Sequence, residues 1–137
     1  MTGQRPLPVP DELSAPYWAA AAEHVLTVAR CRQCATLTLP PEVICGACGS
    51  TDPGYTFTPV SGRAIVRSWT VVRQAFLPGF EVPFVLVDVE LEEQSELRLI
   101  GRLVDGVDAE LRLGAHVRVA FEDLTSEISV PAFELVR

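Results

Sequence analysis

The chain has 137 residues, 48% of them hydrophobic, and a formal net charge of −7. This length allows one ordinary core, so we expect one compact domain with a small appendage. The acidic balance argues against a nucleic-acid partner, because phosphate binding depends on clustered positive charge. All basic residues are arginine, which excludes a P-loop lysine, Schiff-base catalysis and an S-x-x-K nucleophile.

The first segment, residues 1–30, is predicted to be an arm followed by a helix. Residues 1–12 are rich in proline, which predicts an extended arm. Ser14 can cap a helix whose first turn tolerates Pro16. Residues 25–28 are predicted to form a short strand. We find neither a signal-peptide pattern nor an apolar run of about 18 residues, so we expect a cytoplasmic protein.

The second segment, residues 31–52, holds all the cysteines as two C-x-x-C pairs: Cys31, Cys34, Cys45 and Cys48. Two such turns facing each other supply tetrahedral sulfur coordination, which favours Zn²⁺. With every position taken by cysteine there is no place for water, so the zinc would be structural. Disulfides, free buried thiols and a redox iron site are the alternatives. Ala35 stands where glycine would relax the first turn most easily.

The third segment, residues 55–137, alternates apolar and polar residues, as half-buried strands do. In the first strand Ala64, Val66, Thr70 and Val72 are predicted to share one face and Trp69 the other. Five short strands with little helix between them predict a mainly β protein whose core is a five-stranded OB-fold barrel. The strands are expected at residues 63–73, 83–92, 96–104, 116–124 and around Phe133 and Leu135.

The segment between the first two barrel strands is unusually apolar for a loop. Phe76, Leu77 and Phe80 surround a turn at Pro78 and Gly79. Two interpretations stay open: the phenylalanines fold back to plug the barrel end, or they dock into a partner or an acyl-CoA site. Tyr17 and Trp18 in the helix pose the same choice between the domain's own core and a partner contact.

The remaining polar residues offer no catalytic set. His24 and His116 are the only histidines, and neither G-x-S-x-G nor H-E-x-x-H occurs. Outward arginines face outward carboxylates on neighbouring strands, which predicts cross-strand ion pairs. We therefore assign no catalytic residue. The arginines concerned are Arg67, Arg98, Arg102 and Arg118, and the carboxylates are Asp88, Glu90, Glu92 and Glu122.

Taken together, these residues resemble the domain-of-unknown-function family thirty-five, which joins a rubredoxin-like zinc ribbon to an OB-fold. The resemblance covers about residues 14–136, and Ala35 departs from the glycine usual in the family. The ribbon followed by this barrel is more specific than the cysteine motif alone. The matching stretches are Trp18 with 26–34 and 40–50 in the ribbon, then 62–70, 83–91 and 113–121 in the barrel.

The resemblance implies a partner. Members of the family accompany acyl-CoA enzymes, chiefly thiolase-superfamily proteins and MaoC-like hydratases. With thiolase-like partners they act as non-catalytic subunits that complete or border the acyl-CoA site, including in aldolases that shorten steroid or other lipid side chains. We therefore expect a hetero-oligomer with structural zinc, acyl-CoA as the substrate of the complex, and no nucleic acid or membrane.

Two other functions stay open. OB-folds and zinc ribbons both bind single-stranded nucleic acid, so a nucleic-acid module is the main alternative. A third possibility is that the domain binds the nucleotide of CoA through Arg67 or Arg73.

Overall fold

The structure is a computed structural model that describes residues 5–137. The first four residues of the predicted arm lie outside the described residues, and residues 5–12 form neither helix nor strand. Helix α1 spans Ala15–Ala22, with proline in its first turn. Ser14 precedes the helix without capping it: its hydroxyl instead accepts a hydrogen bond from the Asp11 N–H at 3.1 Å. The predicted side-chain cap is therefore wrong.

A small three-stranded sheet follows the helix. It contains β1 (Thr27–Arg30), β2 (Leu37–Thr38) and β3 (Thr56–Pro59), with β1 in the centre and both pairings antiparallel. The strand predicted at 25–28 begins two residues later, because Val25 lies in the turn after α1 and is 38% exposed. Both cysteine pairs lie in the loops between these strands.

The rest of the chain forms a closed five-stranded barrel, which confirms the predicted mainly β fold class. The spatial order of its strands is β4-β5-β6-β8-β7, and β7 pairs with β4 to close it. Only the contact between β6 and β8 is parallel. The strands are β4 (Arg63–Val72), β5 (Phe84–Leu91), β6 (Arg98–Leu103), β7 (His116–Asp123) and β8 (Ser129–Leu135).

Alternation along β5 fixes the barrel core. Val85, Val87, Val89 and Leu91 are all buried, and the residues between them are half-buried. Successive side chains of a strand point to opposite faces, so one face of β5 fills the interior. Strands β6 and β8 approach each other closely. A Cβ added at Gly101 of β6 would lie 3.0 Å from the ring of Phe133 in β8.

The predicted faces of β4 are wrong beyond its midpoint. The register between β4 and β5 shifts between Val66 and Ser68, so Arg67 is an extra residue and Trp69 pairs with buried Val87. A bulge of this kind reverses the phase of the side chains that follow it. Thr70 is consequently exposed. Trp69, expected opposite the core side, lies on the same side of the sheet as Val87 but stays 40% exposed.

Side-chain contacts fasten the small sheet and the helix to the barrel. The Gln94 amide is bound to the backbone of Leu37 in β2 by two hydrogen bonds, one accepted at 2.9 Å and one donated at 2.7 Å. His24, just after α1, stacks on Phe121 with ring centroids 5.2 Å apart. Among the described residues, no helix combines the length and the apolar character needed to cross a bilayer.

Candidate metal centre and exposed loop

The two cysteine pairs form turns with the same hydrogen-bond pattern. In the first, the Ala35 N–H donates to the Cys31 carbonyl at 2.8 Å, and the Cys31 N–H donates to the carbonyl of residue 36 at 3.1 Å. In the second, the Gly49 N–H donates to the Cys45 carbonyl at 2.8 Å, and the Cys45 N–H donates to the carbonyl of residue 50 at 3.0 Å. The backbone thus aims the thiols of each pair in the same way.

The four thiol groups converge on one point. Their sulfur atoms all lie within 4.8 Å of one another, with Cys31 Sγ 3.9 Å from Cys48 Sγ and Cys34 Sγ 3.8 Å from Cys45 Sγ. These separations are far longer than a disulfide bond of about 2.0 Å. A tetrahedron with metal–sulfur bonds of about 2.3 Å has edges of about 3.8 Å. The arrangement is therefore close to the one that four-coordinate Zn²⁺ requires.

The environment of the thiols also fits a cation. The Thr36 side chain and backbone N–H lower the pKa of Cys34 to about 6. The Ser50 N–H acts to lower the pKa of Cys48, but burial and the other three cysteine sulfurs raise it to about 11. Thiolates this close repel one another, and a divalent ion between them removes the repulsion.

Ala35 occupies a backbone conformation that favours glycine. Its φ is 65°, and Gly49 at the matching place in the second turn has φ 76°. A Cβ in the left-handed region costs about 1 kcal/mol. The first turn is therefore the more strained of the two.

The loop between β4 and β5 presents apolar side chains to solvent. Phe76 is 82% exposed and Leu77 is 54% exposed, so Phe76 does not plug the barrel. Pro78 is also exposed. Phe80 instead turns back and stacks on Phe84 with centroids 5.5 Å apart.

The arm reaches this loop. The Arg5 guanidinium lies 5.4 Å from the centroid of the Phe80 ring and 2.7 Å from Glu122 Oε2. Arg102 holds the other oxygen of Glu122 at 2.8 Å. Partial burial acts to raise the pKa of Glu122, but the hydrogen bonds from Arg102 and Arg5 bring it below its usual range. The base of the loop is thus tied to the barrel while its tip stays exposed.

The two aromatic residues of α1 differ in their surroundings. Tyr17 is only 7% exposed and belongs to the core of the protein, where burial raises its pKa to about 12. Trp18 packs edge-on against Tyr17 at 5.0 Å and lines an open groove. Tyr17 also lines this groove despite its burial, so both aromatic residues border the same surface.

Ion pairs occupy most of the arginines, as predicted. Arg98 lies 2.8 Å from Asp88, and Arg118 lies 2.6 Å from Glu134. Arg67 lies 3.7 Å from Glu90. Within residues 5–137, Arg73 makes no ion pair. In the part of the chain that the structure describes, carboxylates interleave with these arginines, unlike the positive stripe that tracks a phosphate backbone.

His24, Asp123 and Ser129 lie together but in the wrong order for a catalytic triad. His24 Nε2 is 2.7 Å from Asp123 Oδ1, and the Ser129 hydroxyl donates to the same oxygen. A nucleophilic serine needs the histidine between itself and the carboxylate, and Ser129 is buried. These residues tether the end of α1 to the barrel. Sequence reasoning missed this contact, since 99 residues separate His24 from Asp123.

The fold and the cysteine cluster define a zinc-ribbon protein with a C-terminal OB-fold. Sequence profiles agree: the ChsH2 rubredoxin-like zinc ribbon domain matches residues 18–54, and the ChsH2 C-terminal OB-fold domain matches residues 57–122. A solved chain of the Ltp2-ChsH2(DUF35) aldolase superposes with a TM-score of 0.81 at 30% identity, covering 93% of this chain and 98% of that one. The chain belongs to the ChsH2-type DUF35 family.

Two curated relatives differ in length. A probable enoyl-CoA hydratase alpha subunit of Thermomonospora curvata is 32% identical over 129 residues, which are 94% of this chain and 39% of that protein. A DUF35 domain-containing scaffold protein of Methanocaldococcus jannaschii is 28% identical over 120 residues, 85% of this chain and 82% of that protein. The chain therefore spans about two fifths of the hydratase subunit but most of the scaffold protein.

Proposed function

We propose that the chain is a non-catalytic accessory subunit of a thiolase-superfamily acyl-CoA enzyme. In this proposal residues 1–30 are the arm and helix, 31–52 the zinc ribbon and 55–137 the OB-fold. The exposed loop, which we define as residues 74–83, docks at or beside the partner's acyl-CoA site. The observation that carries the proposal is the exposure of Phe76 and Leu77 at the tip of a loop whose base is fixed.

Zinc has a structural role in the proposal. Cys31, Cys34, Cys45 and Cys48 hold the ion, and the bound ion supplies a cross-link between the two turns. The ribbon segment is poor in buried apolar residues: apart from two of its cysteines, only Leu37 of its apolar side chains is buried. A metal cross-link offsets the small core.

The loop supplies the docking contact. Complete burial of a side chain such as phenylalanine or leucine contributes roughly 1.5–3 kcal/mol. Aromatic anchors of this kind dominate interface energies when they enter a pocket on the partner. Phe80 and Arg5 reduce the entropy that the loop loses on binding, because they already hold its base. Arg73, which immediately precedes the loop, adds a positive charge at its base.

A thiolase-like aldolase is the favoured partner. The solved chain that superposes over almost its whole length is described as part of an aldolase, and the reacting groups would then belong to the partner. Degradation of steroid or other lipid side chains is the corresponding substrate class. The hydratase relative makes a MaoC-like hydratase the second candidate partner.

The test is co-expression with a candidate thiolase-like protein. We expect the two chains to elute together from a size-exclusion column and the complex to cleave a β-hydroxyacyl-CoA, with loss of activity when this chain is omitted. Serine at positions 76 and 77 should abolish co-elution without unfolding the chain. Leu113→Ser, which removes another exposed apolar side chain (69% exposed), is the matched control. Cleavage that is equally fast without this chain would contradict the proposal.

A further inference from the structure

A second feature, separate from the exposed loop, is a groove between α1, the chain that follows β2 and the barrel strands β6 and β8. Its volume is about 660 Å³. Most of its walls are apolar, and Ile100 is 62% exposed at its edge. The walls include Trp18, Leu39, Pro40, Ile100, Val130 and Pro131.

Part of the β6 backbone lacks a hydrogen-bond partner on the side that faces this groove. The Leu97 carbonyl accepts a hydrogen bond from β5 at 2.9 Å, and the Val104 N–H donates to the Phe133 carbonyl of β8 at 2.8 Å. Along a strand, successive residues direct their N–H and C=O groups to opposite edges. The register between β5 and β6 is uninterrupted from Arg98 to Arg102. The backbone groups of Arg98 and Ile100 therefore point to the side of β8.

Pro131 interrupts the pairing of β8 with this edge of β6. The parallel ladder contains only the pairs Arg102↔Ala132 and Leu103↔Phe133. The next bond of a parallel ladder would run from the N–H of residue 131 to the Ile100 carbonyl, and proline has no N–H. The Ile100 carbonyl therefore has no donor at residue 131 of β8. In the described part of the chain, the hydrogen bonds found outside the strand ladders include none to the backbone of Arg98.

One side-chain hydrogen-bond donor beside the groove also has no acceptor. Arg98 lines the groove, and its Nε is buried without an acceptor, although its Nη1 lies 2.8 Å from Asp88. Buried donors are nearly always satisfied in folded proteins. Because Asp88 already balances the guanidinium charge, the missing group is a neutral oxygen acceptor and not an anion.

We propose that this groove receives an extended apolar segment of the partner protein, which pairs as an added strand with the open edge of β6. Backbone carbonyl and N–H groups of the segment bond to the edge at Ile100 and Arg98, and its side chains cover Trp18 and Pro40. The proposal rests on the proposed function, since the segment belongs to the thiolase-like partner.

Other occupants match the groove less well. A hydrocarbon chain fills apolar walls but offers no donor or acceptor to the strand edge. A second copy of this chain would have to pair its own β6 edge with this one, and the walls of the groove flank both edges. A single extended peptide fits the mixture of apolar walls with backbone groups.

Hydrogen exchange and affinity test the proposal together. The zinc-loaded chain is mixed with the purified thiolase-like protein, and exchange of the Arg98 amide is followed by mass spectrometry. We expect exchange to slow roughly tenfold or more in the complex. Ile100→Glu should weaken binding roughly tenfold or more. Leu113→Glu, which adds the same charge on an exposed leucine outside the groove, should leave affinity within about twofold.

The contrary outcomes are distinct. If the wild-type chain does not bind the thiolase-like protein, the proposed function fails and this inference fails with it. If a complex forms but the Arg98 amide exchanges at its free rate, or Ile100→Glu binds as well as the control, only the inference is overturned. Slower exchange caused by coenzyme A alone, or by raising the concentration of the chain alone, would assign the groove to a different occupant and overturn it as well.

Discussion

The bond between Gln94 and β2 gives the sharpest stability prediction. The Gln94 side-chain amide pairs with the backbone of Leu37 as a neighbouring strand would. It accepts a hydrogen bond from the Leu37 N–H at 2.9 Å and donates one to the Leu37 carbonyl at 2.7 Å. Leu37 is only 8% exposed, so water replaces these bonds poorly. Gln94→Ala removes both at once. At about 1 kcal/mol for each bond, the loss is about 2 kcal/mol.

Urea unfolding of the zinc-loaded chain measures this loss as a change in the free energy of unfolding. Gln33→Ala is the matched control, because Gln33 makes one longer bond, 3.3 Å to the Asp52 carbonyl, on an exposed surface. The control should lie within about 0.5 kcal/mol of the wild type. Gln94→Glu keeps the acceptor but sets a carboxylate against the Leu37 carbonyl, so it should destabilise at least as much as alanine at pH 7.

A Gln94→Ala variant as stable as the control would refute this reasoning. It would mean that the ribbon is held against the barrel by apolar packing alone. A loss confined to faster hydrogen exchange in β1 and β2, with the barrel unchanged, would support the same clamp acting locally.

Three further predictions concern the ribbon and the arm. Ala35→Gly should raise the free energy of unfolding in urea by about 0.5–1 kcal/mol, because the backbone at residue 35 has a left-handed φ of 65°. An unchanged free energy of unfolding would contradict the backbone strain assigned to Ala35. Cys45→Ser should lower the zinc content from about one ion per chain and unfold the ribbon. The control Val43→Ser changes an exposed neighbouring side chain and should do neither. Full zinc loading of the Cys45→Ser variant would refute the ligand assignment. The pKa of Glu122 is lowered in the folded state, so its contribution is present above the unfolded value of about 4.3 and is lost as pH falls through the folded value. Glu122→Gln should therefore lose less stability than the wild type between pH 7 and pH 3, and equal losses would contradict the Arg5 and Arg102 contacts.

Features carried by local spacing could be predicted from the sequence. The four alternating apolar residues of β5 face one side because the side-chain period of a strand is two. The cysteine spacing likewise determines the two turns, since each is closed by hydrogen bonds within six residues. The apolar alternation and the cysteine spacing both depend only on neighbours along the chain, and together they predict the fold class.

Features that depend on contacts between distant residues could not be predicted from the sequence. The bulge at Arg67 reverses the faces of β4, yet nothing in the local pattern marks it. Gln94 lies 57 residues from Leu37, so its clamp on β2 is visible only in the folded chain. The loop residues stayed ambiguous for the same reason: Phe76 and Phe80 look alike in sequence, and the contacts of Phe80 with Phe84 and Arg5 separate them.

The exposed loop is the part of the account most open to direct test. The most direct measurement is the dissociation constant of the zinc-loaded chain for a purified thiolase-like acyl-CoA enzyme, by titration calorimetry, for the wild type and for the variant with serine at Phe76 and Leu77. The account predicts a specific complex whose affinity falls roughly a hundredfold in the variant, about 2.7 kcal/mol. Equal affinities for wild type and variant, with Leu113→Ser also unchanged, would contradict docking through this loop.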